Sequence, residues 1–214
     1  MASLKHLTFL SIIAALIVGF SGCGKKEDNN LSNLNNHYAE LRKVKDKYFK
    51  EDPDSPLLDE DKGSFSELNY YEPDLKYKFT GQIQKYEKQE VVEMLTSTSD
   101  LRNFHKYGYF SFEIDGNEYS VQLYKEVDEN PSGESYYFVP FKDLTNETDT
   151  YAAGRYLDIP SSESDIITID FNEAYNPYCT YSPFYSCPLP PIENHLKVAI
   201  KAGEKNFKTD EAKG

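Results

Sequence analysis

The stretch DFNEAYNPYCTYSPFYSCPLPPIEN, Asp170 to Asn194, gathers most of the side chains from which a site could be built. Asn172, Asn176 and Asn194 supply amides, Tyr175, Tyr178 and Tyr181 amphipathic rings, and Glu193 a carboxylate. Five of the eleven prolines fall here, so neither a helix nor a central strand can run through it. A loop stiffened in this way loses little entropy on binding and holds its polar groups at fixed distances. Tyrosine and asparagine suit polar ligands, by stacking and hydrogen bonding. The competing structural account has the rings closing one end of a β core while their hydroxyls reach water.

Upstream, FKDLTNETDTYAAGRYLD carries Asp143, Tyr151, Gly154 and Arg155. Gly154 permits a turn or a close backbone approach. Arg155 stands between small residues and an expected strand, where a guanidinium needs water or a carboxylate. It would either pair internally with Asp170 or Glu193, or read a ligand carboxylate or phosphate in bidentate fashion. The candidate ligand-binding set is therefore Arg155, Tyr151, Asp143, Asn172, Tyr175, Asn176, Glu193 and Asn194. A catalytic use of Glu193 would require a polarised water or a second carboxylate, from Asp143, Glu147 or Asp170. The chain contains no H-E-x-x-H, Walker or G-x-S-x-G pattern and no Ser-His-Asp order. A module binding a small polar or anionic ligand, or a partner, is the preferred reading. An envelope hydrolase using carboxylates near Glu193 is the alternative, and a purely structural envelope protein the third.

Cys179 and Cys187 stand eight positions apart, and outside the cytoplasm such a pair is expected to form a disulfide. Their spacing, even with His195 added, does not match a zinc motif, so no metal or other cofactor is expected. A nucleophilic cysteine would need a base, for which His195 and His105 are the candidates.

The compartment is read from MASLKHLTFLSIIAALIVGFSGC. A cationic start, an apolar run from about Leu7 to Phe20 and small residues before Cys23 make residues 1–22 a secretory signal, too short to span a bilayer. Ser21-Gly22-Cys23 resembles the bacterial lipobox, which makes Cys23 the expected acylated residue and places the protein in the bacterial cell envelope, anchored through lipid. Removing the signal takes Lys5 with it and leaves 36 acidic against 22 basic residues. So acidic a body repels nucleic acid and anionic membrane surfaces, so membrane attachment falls to the lipid on Cys23.

The elements that must position the candidate residues follow. Residues 23–36 are expected to form a flexible tether, 37–205 a single β-rich domain, and 206–214 a disordered tail. HYAELRKVKDKYFKED places Tyr38, Leu41, Val44, Tyr48 and Phe49 at spacings of three and four, which predicts a helix ended by Pro53. Ser55-Pro56 reads as the cap of a short second helix. In FSFEIDGNEYSVQL, a two-residue Asp115-Gly116 turn pairs Ile114 with Asn117, Phe112 with Tyr119 and Phe110 with Val121. That register puts the apolar set on one face. Further strands are expected near 77–86, 91–96, 136–141, 155–159, 166–171 and 196–200. The predicted class is mainly β, an antiparallel sandwich or partly open barrel with one or two N-terminal helices.

Four blocks, SPLLDED with LNYYEPDLKYKF, TSTSDLRNFHKYGYFSFEIDG, FVPFKDLTNETDTYAAGRYLDIP and DFNEAYNPYCTYSPFYSCPLPPIENHLKVAIKAGE, resemble the bacterial and archaeal domain-of-unknown-function family 1684 from about Tyr48 to Glu204. The resemblance implies no activity, because that family has none assigned. This chain departs from the family pattern at Ser99, where glycine is usual, and at His195, where arginine is usual.

Overall fold

A computed structural model describes residues 24–127, 135–161 and 164–207 of the 214-residue chain. The signal segment, Cys23 and residues 208–214 lie outside the described residues. The fold is mainly β, with two antiparallel sheets and one main helix. A five-stranded sheet has β2 (Gln84–Leu95), β3 (Leu101–Ile114), β4 (Asn117–Glu126), β5 (Tyr136–Phe141) and β6 (Arg155–Pro160) in sequence order. A two-stranded sheet pairs β1 (Lys78–Gln82) with β7 (Ile166–Asp170). Phe79, Ile167 and Ile169 of the small sheet pack with Phe110, Val121, Val139 and Leu157 of the large one, which makes the main core a sandwich.

The β3–β4 hairpin has the expected register, Ile114 with Asn117, Phe112 with Tyr119 and Phe110 with Val121. Asp115 and Gly116 take φ values of 51° and 78°, the left-handed pair that a tight two-residue turn needs. Ser99, in the turn between β2 and β3, takes φ 68°, left-handed backbone that favours glycine. Further along β3, the register shifts between Lys106 and Gly108. This bulge re-aims the strand, sending Phe110 and Phe112 into the sandwich and Phe104 to the opposite face of the sheet.

Helix α1 (Gly24–Glu51) takes in residues 24–36 of the segment expected as a tether. Its docking face also differs from expectation, because Leu41 and Val44 are exposed while Tyr38 and Phe49 are buried. The face in contact is Tyr38, Arg42, Lys45 and Phe49, at steps of four, three and four. Tyr38 donates to Asp170, Arg42 to the carbonyl of Tyr71 (2.8 Å) and Lys45 to Glu204 (2.9 Å). Charged heads on long apolar stems occupy positions that a hydrophobicity pattern scores as solvent. Phe49 then joins Leu57, Phe65, Leu68 and Tyr181 in a second cluster. The short helix α2 (Asp59–Lys62) starts later than expected; Ser55 does not cap it but donates to the carbonyl of Phe49 and accepts from the N–H of Leu57.

Two further expectations are corrected. Leu196–Ile200 is not a strand: Leu196 and Val198 make single backbone bonds with Lys142 and Leu144, and at Ile200 side chains take over, Asp143 accepting from its N–H and Arg155 donating to its carbonyl. The tail does not begin at residue 206, because Asn206 bonds to Asp149 and Thr148, and Phe207 packs on Phe65 and Tyr181.

Asp170 ties β7 to the helix. It accepts from Lys78 at 2.8 Å, from Tyr38, and from Asn172. Burial pushes its carboxyl up, but the bonds from Lys78, Tyr38 and Asn172 outweigh burial and hold it below the ordinary range. A depressed carboxyl stabilises the fold above its unfolded value of about 3.9 and loses that contribution as pH falls through the folded value. Asp170→Asn is therefore expected to cost about 1–3 kcal/mol at pH 7, with the gap to the parent closing below about pH 4. Melting curves of both proteins from pH 7 to 3 check this; a gap that stays constant with pH would refute it.

Candidate functional site

The aromatic loop forms one wall of a cleft of about 1180 Å³ on the face of the large sheet turned away from the sandwich core. Phe104, Phe138, Tyr156 and Asp158 form the floor, and Tyr38, Arg42 and Lys45 of α1 form the opposite wall. Tyr175, Tyr178, Tyr185 and Pro188 contribute the loop side. The floor arises because β5 and β6 alternate strictly: Val139, Leu157 and Ile159 enter the core, and Phe138, Tyr156 and Asp158 face the other way.

The loop is pinned at both ends. Tyr156 and Tyr175 exchange backbone bonds of 2.9 and 3.0 Å, and the Tyr156 hydroxyl donates to the carbonyl of Pro188. Leu189 donates to Leu95 at 2.7 Å, Ser97 to Cys187 at 2.9 Å, and the Arg102 guanidinium to the carbonyl of Ser186 at 2.8 Å. The cleft is thus pre-formed by backbone hydrogen bonds as well as by prolines.

The candidate set divides sharply. Arg155 is 0% exposed and does not reach the cleft. Its guanidinium pairs with Asp143 at 2.8 Å and donates to the carbonyls of Ile200 (2.9 Å), Glu204 (3.2 Å) and Ala202. The internal ion pair is therefore with Asp143, not with Asp170 or Glu193, and Arg155 has no face open to a ligand. Gly154 makes this burial possible: at φ 109° its missing Cβ would lie 2.6 Å from the carbonyl of Phe141 and 2.7 Å from Pro190. Asn176 is fully buried and donates to Glu204 (2.9 Å) and to the carbonyl of Lys205 (2.8 Å). Asn194, also fully buried, accepts from the N–H of Gln122 (2.6 Å) and donates to the carbonyls of Gln122 and Pro140 (3.0 and 2.8 Å). It bridges β4 and β5 beside their single paired position, Tyr124 with Phe138.

Glu193 pairs with Lys106 at 3.2 Å and is not among the cleft residues. A backbone hydrogen bond and Lys106 hold its carboxyl below the ordinary range, against some burial, which is the wrong direction for a general acid. Glu193 is thus held ionised and paired with Lys106 outside the cleft, which disfavours it as a general acid. Tyr151 is half-buried beside Cys179 (3.8 Å). Of the eight candidates, Tyr175 and Asn172 line the cleft, and the amide of Asn172 is already committed to both backbone groups of Asp74.

The expected disulfide is also corrected. Cys179 and Cys187 are free thiols, and the N–H of Cys179 donates to the sulfur of Cys187 at 3.3 Å. A hydrogen bond from the Cys187 thiol pulls Cys179 down to about 6, against burial, and the same contact pushes Cys187 up. Among the described residues no group of three or more His, Cys, Asp or Glu side chains is placed to hold a metal ion.

Sequence reasoning missed Asp158, Arg42, Arg102 and the floor rings. The β3 bulge between Lys106 and Gly108, which alternation alone does not show, turns Phe104 to the face that also carries Tyr124, Phe138 and Tyr156. Asp158 shares that face and accepts from the Tyr175 hydroxyl. Partial desolvation by the neighbouring rings raises its carboxyl against that bond, with Glu126 adding a smaller push upward.

Fold and site define a two-sheet antiparallel β protein with a helix-walled aromatic cleft. The chain belongs to the family described as Protein of unknown function (DUF1684), whose pattern it matches over residues 63–205. It is also similar to the uncharacterized protein from gene locus rrnAC0354 of Haloarcula marismortui, known from a solution NMR structure, at 34% identity over 83% of this chain and 97% of that one, with a TM-score of 0.62. No curated protein matches it. The family pattern covers the sheets and the aromatic loop but starts after α1, so one cleft wall comes from outside it.

Proposed function

We propose that this chain is a lipid-anchored envelope protein whose aromatic cleft binds a small polar ligand bearing an anionic group. The observation that carries the reading is the pre-formed cleft: ring-lined, of ligand size, and walled by a loop pinned at both ends. Two guanidiniums line it without a carboxylate partner among the described residues. Arg102 donates to the carbonyl of Ser186 and Arg42 to that of Tyr71, and both keep further donors for a carboxylate or phosphate. In this reading they take the role that the sequence suggested for Arg155. The anchor rests on the lipobox at Cys23; α1 follows directly, and at about 1.5 Å per residue it would hold Tyr38 roughly 20 Å from the lipid.

A thermal-shift screen of the protein against sugar acids, small carboxylates and phosphate esters tests the proposal. A ligand at about a hundred times its Kd should add about 2.7 kcal/mol, or roughly 5–10 °C for a chain of this size. Arg102→Ala should leave the unliganded melting point within about 2 °C, because the side chain is exposed, yet weaken the hit about tenfold or more. A screen in which no anion protects the fold, or an Arg102→Ala protein that binds the hit unchanged, would refute it.

A further inference from the structure

We infer that the cleft floor is a seat for an organic cation, an ammonium or quaternary ammonium group resting on Asp158 within a box of aromatic rings, so that the ligand is zwitterionic. This deepens the preceding reading and rests on the cleft being a binding site.

The β5–β6 register sets Phe138 directly opposite Asp158 and brings Tyr156 two residues before it, while Tyr156 exchanges backbone bonds with Tyr175. Phe138 and Tyr156 meet at 4.8 Å with planes 78° apart, and Tyr156 and Tyr175 at 5.8 Å with planes 89° apart. Rings at right angles in succession form the walls of a box, the arrangement in which ring faces attract a cation. Asp158 stands at its base. It has no Lys or Arg partner among the described residues and accepts from the Tyr175 hydroxyl.

Asp158 is open to the cleft but flanked by rings, so it presents a carboxylate to a cation that the ring faces also attract. Partial desolvation raises its carboxyl against the bond from the Tyr175 hydroxyl, and Glu126, which also lines the cleft, raises it further. The protein's own cations do not relieve this. Lys45 reaches over Tyr175, at 5.0 Å from the ring centroid, but is committed to Glu204 at 2.9 Å. Arg42 lies over Tyr70, Arg102 is turned to Ser186, and Lys125, the fourth cation of the cleft lining, lies over Tyr107 and Tyr137 at 4.8 Å from each ring centroid. Glu173, the third carboxylate of the cleft, likewise has no Lys or Arg partner among the described residues, and burial raises it too. A net charge of −13 favours arrival of a cation at the whole molecule.

The test compares charged and neutral probes of one shape on the full-length protein. Trimethylglycine and 3,3-dimethylbutanoate differ only in carrying a quaternary nitrogen or a quaternary carbon, and choline, phosphocholine and spermidine extend the series. At least one ammonium probe should bind, measured by calorimetry, and trimethylglycine should bind about tenfold more tightly than its carbon isostere. Asp158→Asn should bring trimethylglycine down to the level of the isostere and leave the isostere unchanged. Because Asp158 is exposed to the cleft, that variant should fold, and its melting point checks that it does. Equal binding of the two isosteres, equal loss of both in Asp158→Asn, or no binding of any ammonium probe while sugar acids or phosphate esters still bind through Arg102, overturns the cation seat and leaves the anion-binding cleft standing. If no probe of any charge binds, both readings fall.

Discussion

Replacing Arg155 with methionine should destabilise the protein by about 3–5 kcal/mol, because it leaves the fully buried carboxylate of Asp143 without its counter-charge. For a chain of this size that corresponds to a melting point roughly 10 °C lower. The guanidinium also serves the carbonyls of Ala202, Ile200 and Glu204, so one side chain fastens the irregular C-terminal segment to β6. Lysine cannot substitute, because a point charge with three rotating donors does not reproduce the planar fork. Arg155→Met combined with Asp143→Leu should regain part of the loss, since a well-packed apolar pair avoids the stranded charge. Thermal and urea melts of the three proteins decide the matter. A change below about 1 kcal/mol in Arg155→Met would mean that the guanidinium faces water after all, as a ligand-reading arginine would.

Glu204→Gln should cost about 2–4 kcal/mol and should act on α1 as well as on the C-terminal segment. Glu204 is 0% exposed, and its carboxylate accepts from the N–H and side-chain amide of Asn176, from the Tyr181 hydroxyl and from Lys45 on the helix. All of these partners are donors. A glutamine amide turns a donor of its own toward one of them and removes the charge that holds Lys45. Since Lys45 is one of the side chains that fasten the helix forming the far wall of the cleft, amide exchange in α1 should speed up in the variant more than exchange in the β3–β4 hairpin. Uniform acceleration across both elements, or an unchanged melting point, would show that Glu204 does not secure the helix.

The two predictions concern residues that a linear reading treats unequally. Arg155 is conspicuous in the sequence, and internal pairing is one of its two readings, but the partners expected there, Asp170 and Glu193, are not the one it finds. Asp143 lies only 12 residues away, but Arg155 meets it because Gly154 turns the chain inward under the carbonyl of Phe141. Glu204, near the end of the described chain, carried no local signal at all. Its role depends on Asn176, Tyr181 and Lys45, which lie 28, 23 and 159 positions away.

What the amino-acid order determined by itself was the class of fold, the β3–β4 register, the stiffness of the aromatic loop and the family. Each of these rests on neighbours within a few positions: alternation of side chains along a strand, left-handed φ at Asp115 and Gly116, fixed φ at proline, and contiguous motif blocks. Tertiary structure alone decided which polar groups were spent inside and which were left facing the cleft. Asn176, Asn194 and Arg155 look as available in the sequence as Asp158 and Arg102, but a buried polar group must find partners, and those partners are supplied from distant segments that only the folded chain brings together.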